Sequence, residues 1–436
     1  MLFRSARVQS VVVSSTVGTG IIPQANTGDQ KLNEKIDEAF WRWCSECDAD
    51  GQLDLFGLQA LNIGSIFERG ACLIRRRLRR PEDNLYVPLK LQSMECDHID
   101  LSQATNTNGG VTINGVAFDA IGQRAGYYLY DVHPGASVAS LNQFKRGFGS
   151  RFVPADQIIH AYRKTRLRPG TVHGVPWLSP AMLLFRDMDE YNEAEIVRAK
   201  IAACLAMFVS NPTGGMPGVG TLGSASTESG TGQLIEKMRP GMILYGKPGQ
   251  SATAIVPTGH SNFMDFMKFE QHLLAVACDL HYTQISGDLT AVNYSSYRAG
   301  DRDFRGAIEA FRWLCVIPQV CDPIWKWFID AAYLAGRIPA QNYGVTWTPP
   351  QFMSVDPMKD AMSDEVELSN GTLVWPEAVA RKGYDPTKQL STAIEWATKF
   401  DQAGMVFAFD RRKVAASGTL QAAQAETVKP QPAQQN

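Results

Sequence analysis

The rest of the chain is organised around residues 261–337. These residues read SNFMDFMKFEQHLLAVACDL at 261–280, HYTQISGDLTAVNYSS at 281–296 and YRAGDRDFRGAIEAFRWLCVIPQVCDPIWKWFIDAAYLAGR at 297–337. In the first part apolar residues recur every three or four positions, which predicts a helix with one apolar face. They are Phe263, Phe266, Met267, Leu273, Leu274 and Ala277. The last part repeats this spacing through Phe304, Ile308, Phe311, Trp313 and Leu314. Two helices on either side of a polar loop are therefore predicted.

The totals describe a protein of several modules. A chain of 436 residues exceeds the ~250–300 at which one core stops growing. A formal net charge of −2 argues against binding that depends on neutralising phosphates. No run approaches the ~18 apolar residues that span a bilayer, so no membrane segment is expected. The start, MLFRSARVQSVVVSST, has too short an apolar run for a signal peptide, and we expect no secretion and eight reduced cysteines.

Residues 1–178 are predicted to form one α+β domain. Helices are expected at 31–47 and 54–69, because their apolar residues follow helical spacing. A turn at Pro81–Asn84 between two apolar runs predicts a hairpin. A second hairpin is expected around Asn114-Gly115, since this pair suits the left-handed angles of a two-residue turn. The segments GYYLYDV and RFVPADQIIHAY should extend the sheet.

A long helix is predicted to follow from Ser179-Pro180 to Val209, where Asn211-Pro212 ends it. Residues 211–260 are rich in glycine and contain two short strand-like runs, which favours a small β module. Beyond residue 337 we predict a strand at YGVTWTPP and helices near 357–369, 375–382 and 387–402. The last part, 411–436, has few large apolar groups and is expected to be disordered.

The run GDLTAVNYSSYRAG resembles the portal (head-to-tail connector) proteins of lambda-like tailed bacteriophages. Further stretches resemble the same family in the same order. They are VGTGI from Val17, FWRWCSECDADG from Phe40, IIHAYRKTRLRPGTVHGVPWLSPAM from Ile158, WTPPQFMSVDPMKDA from Trp347 and NGTLVWPEAVARKGYDP from Asn370. The resemblance spans residues 15 to 400. The family usually carries a longer segment before the VGTGI-like run, so we expect a truncated or alternatively started copy.

The resemblance implies an α+β portal architecture with a wing, stem helices, a clip and a helical C-terminal region. The resemblance assigns residues 1–178 to the N-terminal wing. It assigns the first stem helix to residues 179–210, the clip to 211–260 and the second stem helix to 261–281. The tunnel loop then comprises residues 282–296. A long wing helix at 297–336, a C-terminal wing or crown-like region at 337–410 and the tail at 411–436 complete the architecture. The protein would then be structural, with no enzymatic activity, cofactor or metal.

The family's role is implied with its architecture. It is a ring homo-oligomer, expected to be a dodecamer, at one capsid vertex. Double-stranded DNA passes through it during packaging and ejection without sequence specificity. Its partners would be other copies of itself, the capsid protein, the terminase large subunit, and the head-completion or tail adaptor proteins. The protein would belong to the virion and to the host cytoplasm during assembly, and would have no membrane partner.

Two sets of residues are predicted to carry this role. The tunnel loop offers short neutral or acidic side chains past which DNA could slide, because it presents no cation that grips phosphate. They are Thr283, Gln284, Ser286, Asp288, Thr290, Asn293, Ser295 and Ser296. From spacing alone this stretch reads as an ordinary exposed helix connection, and the resemblance reverses that reading. Charged residues on the next helix, Arg298, Asp301, Arg302 and Asp303, are expected to hold subunits together, with Trp313, Trp325 and Trp327 adding apolar area.

Other motifs favour plainer interpretations. The arginines at 75–77, 79 and 80 have two readings: a strip that contacts phosphates, or a solvated hairpin whose arginines pair with Glu82, Asp83 and acids of adjacent subunits. Alternation sends them to both faces of the hairpin, which favours the second reading. A zinc site from Cys44, Cys47, Cys96 and His98 is disfavoured, because the two pairs lie in different kinds of element. The glycines at 214–223 follow a helix and open none, which is not a dinucleotide-binding arrangement.

An enzyme remains the alternative class. His160, Asp156 and Ser179 could together form a hydrolase triad. However, Ser179 is expected to cap the start of a helix and does not lie in the G-x-S-x-G turn that exposes a nucleophilic serine. The alternative hypothesis is therefore a soluble hydrolase that uses His160 or His281 with nearby acids. The nucleotide-binding pattern G-x-x-x-x-G-K-[ST] does not occur in the sequence, so a packaging ATPase would be a separate protein.

Overall fold

The structure is a computed structural model that describes residues 2–107, 109–136, 149–166, 170–204, 208–209, 244–245, 262–290, 292–407 and 413. The chain divides into two compact units, each assembled from separate stretches. Unit 1 comprises Met1–Ser15, Leu61–Arg75 and Ser93–Val320. Unit 2 comprises Thr16–Ala60, Arg76–Gln92 and Cys321–Asn436.

The helices and strands of the described residues follow in chain order. The helices are α1 (Leu2–Thr16), α2 (Gln30–Cys44), α3 (Leu55–Arg69), α4 (Met182–Cys204), α5 (Phe263–Ala277), α6 (Tyr282–Ser286), α7 (Tyr294–Phe311), α8 (Asp322–Leu334), α9 (Pro357–Ser369), α10 (Trp375–Arg381) and α11 (Pro386–Gln402). The strands are β1 (Ile22–Ala25), β2 (Ala71–Leu78), β3 (Leu89–Met94), β4 (Thr105–Thr107), β5 (Gly110–Ile113), β6 (Val116–Asp119), β7 (Arg124–Tyr130), β8 (Ser150–Pro154), β9 (Ile158–Tyr162), β10 (Phe208–Val209), β11 (Leu244–Tyr245) and β12 (Val345–Thr348).

Unit 1 contains a five-stranded antiparallel sheet in the order β4-β5-β6-β7-β8. Asn114 and Gly115 join β5 to β6 with φ angles of 46° and 79°, which confirms the predicted two-residue turn. Strand β9 pairs antiparallel with the first half of β2. The core lies under these strands and is made of Leu73, Ile99, Val116, Tyr127, Leu129, Val153, Ile158 and Val172.

A buried carboxylate ties loops to the edge of this sheet. Asp100 is buried and accepts hydrogen bonds from Ser102 Oγ (2.6 Å), Gln103 Nε2 (3.0 Å), Tyr130 OH (2.7 Å) and Ser150 Oγ (2.5 Å). Burial alone would raise the pKa of Asp100, but these donors together hold it well below its ordinary value. The charged form of Asp100 is therefore part of the folded structure.

The N-terminal helix α1 is absent from the sequence prediction. Val8 and Val12, four residues apart, are buried, and Gln9 Nε2 donates to the carbonyl of Gly64 (3.4 Å). The buried Arg312 donates from Nη2 to the carbonyl of Ser15 at 2.6 Å, which satisfies one of the open acceptors at the end of the helix. The run that resembled a short signal sequence is thus a packed helix.

Unit 2 is built around aromatic side chains. Phe40 lies 5.6 Å from Trp325 and 5.5 Å from Phe328, measured between ring centroids, and Trp43 lies 5.1 Å from Phe328. Trp325 and Trp327 are buried within the single chain, so they cannot supply free area for subunit contacts as predicted. Helical spacing shows that these residues share a face, but it does not say whether the same chain or a neighbour covers it.

Strand β1 pairs with β12 across more than 300 residues of sequence. The opposite edge of β1 is closed by side chains: Gln59 bonds to both the N–H and the carbonyl of Ile21, and Asp37 Oδ1 accepts from the N–H of Ala25 (3.1 Å). Pro23, between them, has no N–H to offer. The outward-facing N–H groups of this edge are therefore satisfied or missing.

The helix predicted to follow the polar loop is not continuous in the structure. Residues Arg312–Cys321 form a π-helix, with Pro318 inside it, between α7 and α8. Hydrogen bonds five residues apart change the helical phase. Phe304, Ile308 and Phe311 are buried as predicted, whereas Trp313 and Leu314 are exposed. At 100° per residue Trp313 already lies opposite the buried face of α7.

Several predicted boundaries differ from the structure. Residues 1–178 do not form one domain by themselves, because Thr16–Ala60 and Arg76–Gln92 belong to unit 2. The helix predicted to reach Val209 ends at Cys204 as far as it is described, and Phe208–Val209 pair as a strand with Leu244–Tyr245. Most of the clip at 211–260 and of the tail at 411–436 lies outside the described residues. Helices α2, α3, α9, α10 and α11 confirm their predicted positions.

Candidate functional site

Helices α4 and α5 pack against each other through aromatic contacts. The Tyr191 ring lies 4.3 Å from that of Phe266 and stacks on that of Phe263 at 5.8 Å, measured between centroids. On α5, Met267 and Leu274 are buried. These contacts fix one side of α5.

The other side of α5 is also apolar. Phe269, Leu273 and Val276 are 60%, 38% and 77% exposed. Their spacing of four and three residues places them on one stripe, and at 100° per residue this stripe lies nearly opposite Met267 and Leu274. The sequence predicted one apolar face that included Leu273, whereas the structure has two apolar faces, of which the described residues cover only one.

The polar segment, residues 282–296, begins with a short capped helix. His281 precedes α6 as its N-cap: its side chain accepts from the N–H of Thr283, and the Gln284 side chain accepts from the N–H of His281 (3.0 Å). Gly287, with a φ of 71°, ends the helix in the left-handed region. The first part of the predicted tunnel loop is therefore helical.

The rest of the polar segment is ordered by its own side chains. Asp288 Oδ1 accepts from the N–H (3.0 Å) and the hydroxyl (2.6 Å) of Thr290. These bonds lower the pKa of Asp288, which keeps it negatively charged. Asn293 then caps α7 by accepting from the N–H of Ser296 at 2.8 Å.

The predicted tunnel residues are not equally accessible. Thr290, Asn293, Ser295 and Ser296 are exposed, and Gln284, Ser286 and Asp288 are half-buried. Thr283 is buried, so its side chain does not belong to an exposed surface. The spacing of polar residues does not predict this burial, because it depends on the short helix α6, in which Thr283 faces inward.

The charged residues predicted to join subunits lie on α7. Asp301 forms an ion pair with Arg305 of the same helix (2.7 Å), and Arg298 Nη1 donates to the hydroxyl of Tyr294 (3.2 Å). Arg302 and Asp303 are exposed. Asp301 thus has a partner within its own chain, while a role for the four residues between subunits stays a prediction.

The structure does not favour the two histidines as catalytic bases. His160 lies in β9, buried, with its Nδ1 3.4 Å from Nη1 of Arg124. Burial, followed by the positive charge of Arg124, lowers the pKa of His160 to about 3, far from that of a base working near neutral pH. His281 is occupied as a helix cap.

A cluster of possible metal ligands has a plainer explanation. Among the described residues, one such group brings ligand atoms together, namely Glu95, Asp97 and His133. Arg69 Nη1 already lies 3.0 Å from Glu95 and 2.7 Å from Asp97. The N–H of Gly135 donates to Nδ1 of His133, whose Nε2 lies 3.0 Å from Glu95 and 3.5 Å from Asp97. The cluster is an ion-pair network.

The predicted cysteine pair is buried. Cys44 and Cys47 are inaccessible, and burial raises the pKa of both thiols, to about 11 for Cys44. A zinc ligand must be a thiolate, which this environment disfavours. None of the helices in the described part of the chain is both long and apolar enough to cross a membrane.

Comparisons with known proteins identify the family. Residues 4–312 match the family model for the phage portal protein, lambda family. A "Probable portal protein" of Halomonas phage phiHAP-1 is 24% identical over 394 residues, covering 86% of this chain and 72% of that protein.

Two solved structures of gene transfer agent (GTA) necks also match. The neck of the native particle, with C12 symmetry, has 15% identity, a TM-score of 0.44 and coverage of 87% and 88% of the two chains. The neck of the empty particle, with C6 symmetry, has 17% identity, a TM-score of 0.42 and coverage of 88% and 90%. Since the family match takes in most of the sequence, the chain belongs to the lambda family of phage portal proteins.

Proposed function

We propose that the chain is the subunit of a closed ring at one capsid vertex, through which double-stranded DNA passes during packaging and ejection. The main observation in support of a ring is the exposed apolar stripe of α5, formed by Phe269, Leu273 and Val276. Burying an apolar side chain of this size stabilises by about 1.5–3 kcal/mol, so a neighbouring copy that covers part of the stripe stabilises assembly. A ring needs two different surfaces to meet, and a helix with two apolar faces can serve both its own chain and the next.

The polar segment supports the passage of DNA. No lysine or arginine occurs between residues 282 and 296, and the exposed side chains of Thr290, Asn293, Ser295 and Ser296 are short and neutral. Each phosphate contacted by a cation adds a salt-dependent binding term, and such a term repeated around a ring would slow the DNA. The role of the segment in DNA movement is passive or valve-like.

Membership of the portal family supports the remaining partners. The terminase large subunit would dock at the clip end, residues 211–260, during packaging, and head-completion or tail adaptor proteins would follow. The ring would contact the capsid protein at its vertex. The energy for packaging would come from a separate ATPase.

The size of the purified protein tests this proposal. Wild-type protein should sediment as a ring and appear as annular particles in electron micrographs. Val276→Asp and Phe269→Asp should abolish rings and leave folded single chains, because both side chains are exposed in the monomer. Lys268→Asp, at an exposed polar position of the same helix, is the matched control and should still assemble. Wild-type protein that stays monomeric, or a Val276→Asp variant that assembles normally, would contradict the proposal.

A further inference from the structure

Unit 2 contains a cleft of about 250 Å³ beside strands β1 and β12. Asp37 and Trp41 of α2 line one side of it, and Tyr384, Asp385 and Lys388, at the start of α11, line the other. Pockets for small-molecule ligands usually measure ~300–1,000 Å³. The cleft is therefore better suited to a single protein side chain.

The carboxylate of Asp37 in this cleft has a cation nearby, Lys388, but makes no direct ion pair with it. Asp37 is half-buried, and its Oδ1 accepts from the N–H of Ala25. Burial raises the pKa of Asp37, and the nearby negative charge of Asp385 adds to this effect, while Lys388 opposes it. No ion pair joins Asp37 to a cation within the part of the chain that the structure describes. A partly desolvated carboxylate in this state is stabilised by any cation that reaches it.

The wall of the cleft also suits a cation. The Trp41 side chain is 41% exposed, and Lys388 Nζ lies 5.5 Å from its ring centroid. Tyr384 is exposed beside it. A planar guanidinium can stack on an aromatic face while donating two hydrogen bonds to a carboxylate, which a lysine cannot do. The chemistry of the cleft therefore favours arginine.

The same unit also carries two exposed arginines, Arg79 and Arg80. Arg79 and Arg80 follow β2 at the tip of its hairpin with β3, and both are exposed. Their main-chain N–H groups are bonded within the tip, to Pro88 and Asp83. Their side chains have no ion pair within the described residues, and neither lines the cleft of its own chain. Leu78, next to them, is 62% exposed and adds an apolar contact.

We propose that an arginine of this tip, Arg79 or Arg80, enters the Asp37 cleft of a neighbouring copy in the assembled ring. The tip and the cleft are different surfaces with opposite charge, as a head-to-tail contact requires. The inference rests on the proposed function, since it needs a second copy of the chain. It gives the arginine run a role as a connector between subunits.

The first test measures assembly of the full chain as a function of protein concentration. Asp37→Asn removes the charge but keeps an oxygen for the N–H of Ala25. We expect the concentration at half-assembly to rise by about tenfold. Glu38→Gln, at the adjacent exposed position of α2, is the matched control and should not change it. The double change Arg79→Gln with Arg80→Gln should have the same effect as Asp37→Asn, and combining all three should add little more. Fully additive effects would overturn the inference.

The second test locates the contact. One chain carries Asp37→Cys and a separately purified chain carries Arg80→Cys. After mixing and assembly, a short bismaleimide should link the two chains to each other. The same result with Arg79→Cys would equally support the proposal. Rings that form without any such link would overturn it, and so would tip variants that assemble normally but retain less DNA, because the arginines would then contact DNA. Absence of rings in the wild-type protein would instead refute the proposed function.

Discussion

A Cβ atom placed on Gly300 would lie 2.3 Å from Cδ2 of His281, so helix α7 crosses directly over the residue that caps α6. The His281 ring also meets Tyr297 edge-on, with 6.4 Å between centroids. The position of the polar segment therefore depends on a close approach that only glycine permits.

Gly300→Ala should destabilise the protein, because the added methyl group overlaps the imidazole. Overpacking of this kind costs about 1–3 kcal/mol. Gly306→Ala is the matched control on the same helix: a Cβ there meets nothing within 4 Å, and alanine should stabilise the helix by about 0.5–1 kcal/mol. Thermal and urea unfolding of both variants measure the difference. Equal effects at the two positions would contradict the close contact.

Asp100→Asn should weaken unit 1 in a pH-dependent manner. The folded pKa of Asp100 lies below its unfolded value of about 3.9, so its charge contributes stability above that pH and the contribution is lost as the pH falls further. Removing an acceptor of several charge-assisted hydrogen bonds costs on the order of 2 kcal/mol. Urea unfolding at pH 7 and at pH 3.5 should show a smaller gap between variant and wild type at the lower pH. Asp187→Asn, at an exposed position of α4, should change little at either pH.

A cation added to the polar segment should slow DNA. Ser295 is exposed, and Ser295→Lys would place a charge where DNA is proposed to pass. Each new phosphate contact steepens the dependence of log affinity on log salt concentration by about 0.9. Packaging rates over a range of salt concentrations should fall for this variant and recover at high salt. Ser295→Gln, which adds length without charge, should behave as wild type, and rings should form in both.

The buried thiols should resist modification in the folded protein. Burial raises the pKa of Cys315 to about 11 and that of Cys278 to about 12, so almost no thiolate is present at neutral pH. In a Cys204→Ser variant, which removes the cysteine whose side chain is not described, a thiol reagent should react slowly until denaturant is added. Rapid stoichiometric reaction in native buffer would contradict the buried placement. Iodoacetamide labelling followed by mass spectrometry would identify which residues react.

Local patterns in the sequence predicted most helices and hairpins of this chain, because periodicity and turn chemistry act over a few residues. The Asn114-Gly115 turn and α9, for example, follow from nearby residues alone. The pairing of β1 with β12 could not be predicted in this way, since its partners lie far apart in sequence. Helix α1 carried a signal in the four-residue spacing of Val8 and Val12, but residues 1–16 were weighed only as a signal peptide, which was rejected, and no helix was predicted there.

The candidate site was predicted in outline and differs in detail. The polar character of residues 282–296 is a property of composition, which the sequence states directly. The inward turn of Thr283 depends on the cap formed by His281 and Gln284, and the second stripe of α5 depends on which face α4 covers. Neither follows from spacing, because the same spacing fits a face packed inside a chain and a face between chains.

The closed edge of β1 has a consequence for the proposed ring, in which many identical copies would stand side by side. An open strand edge is a template on which a second strand can add, and neighbours held side by side would meet it constantly. With the N–H groups of Ile21 and Ala25 bonded to Gln59 and Asp37, and with none on Pro23, this edge of β1 offers no free N–H donor to an added strand. Copies in the proposed ring would then associate through contacts between side chains, which are reversible during assembly.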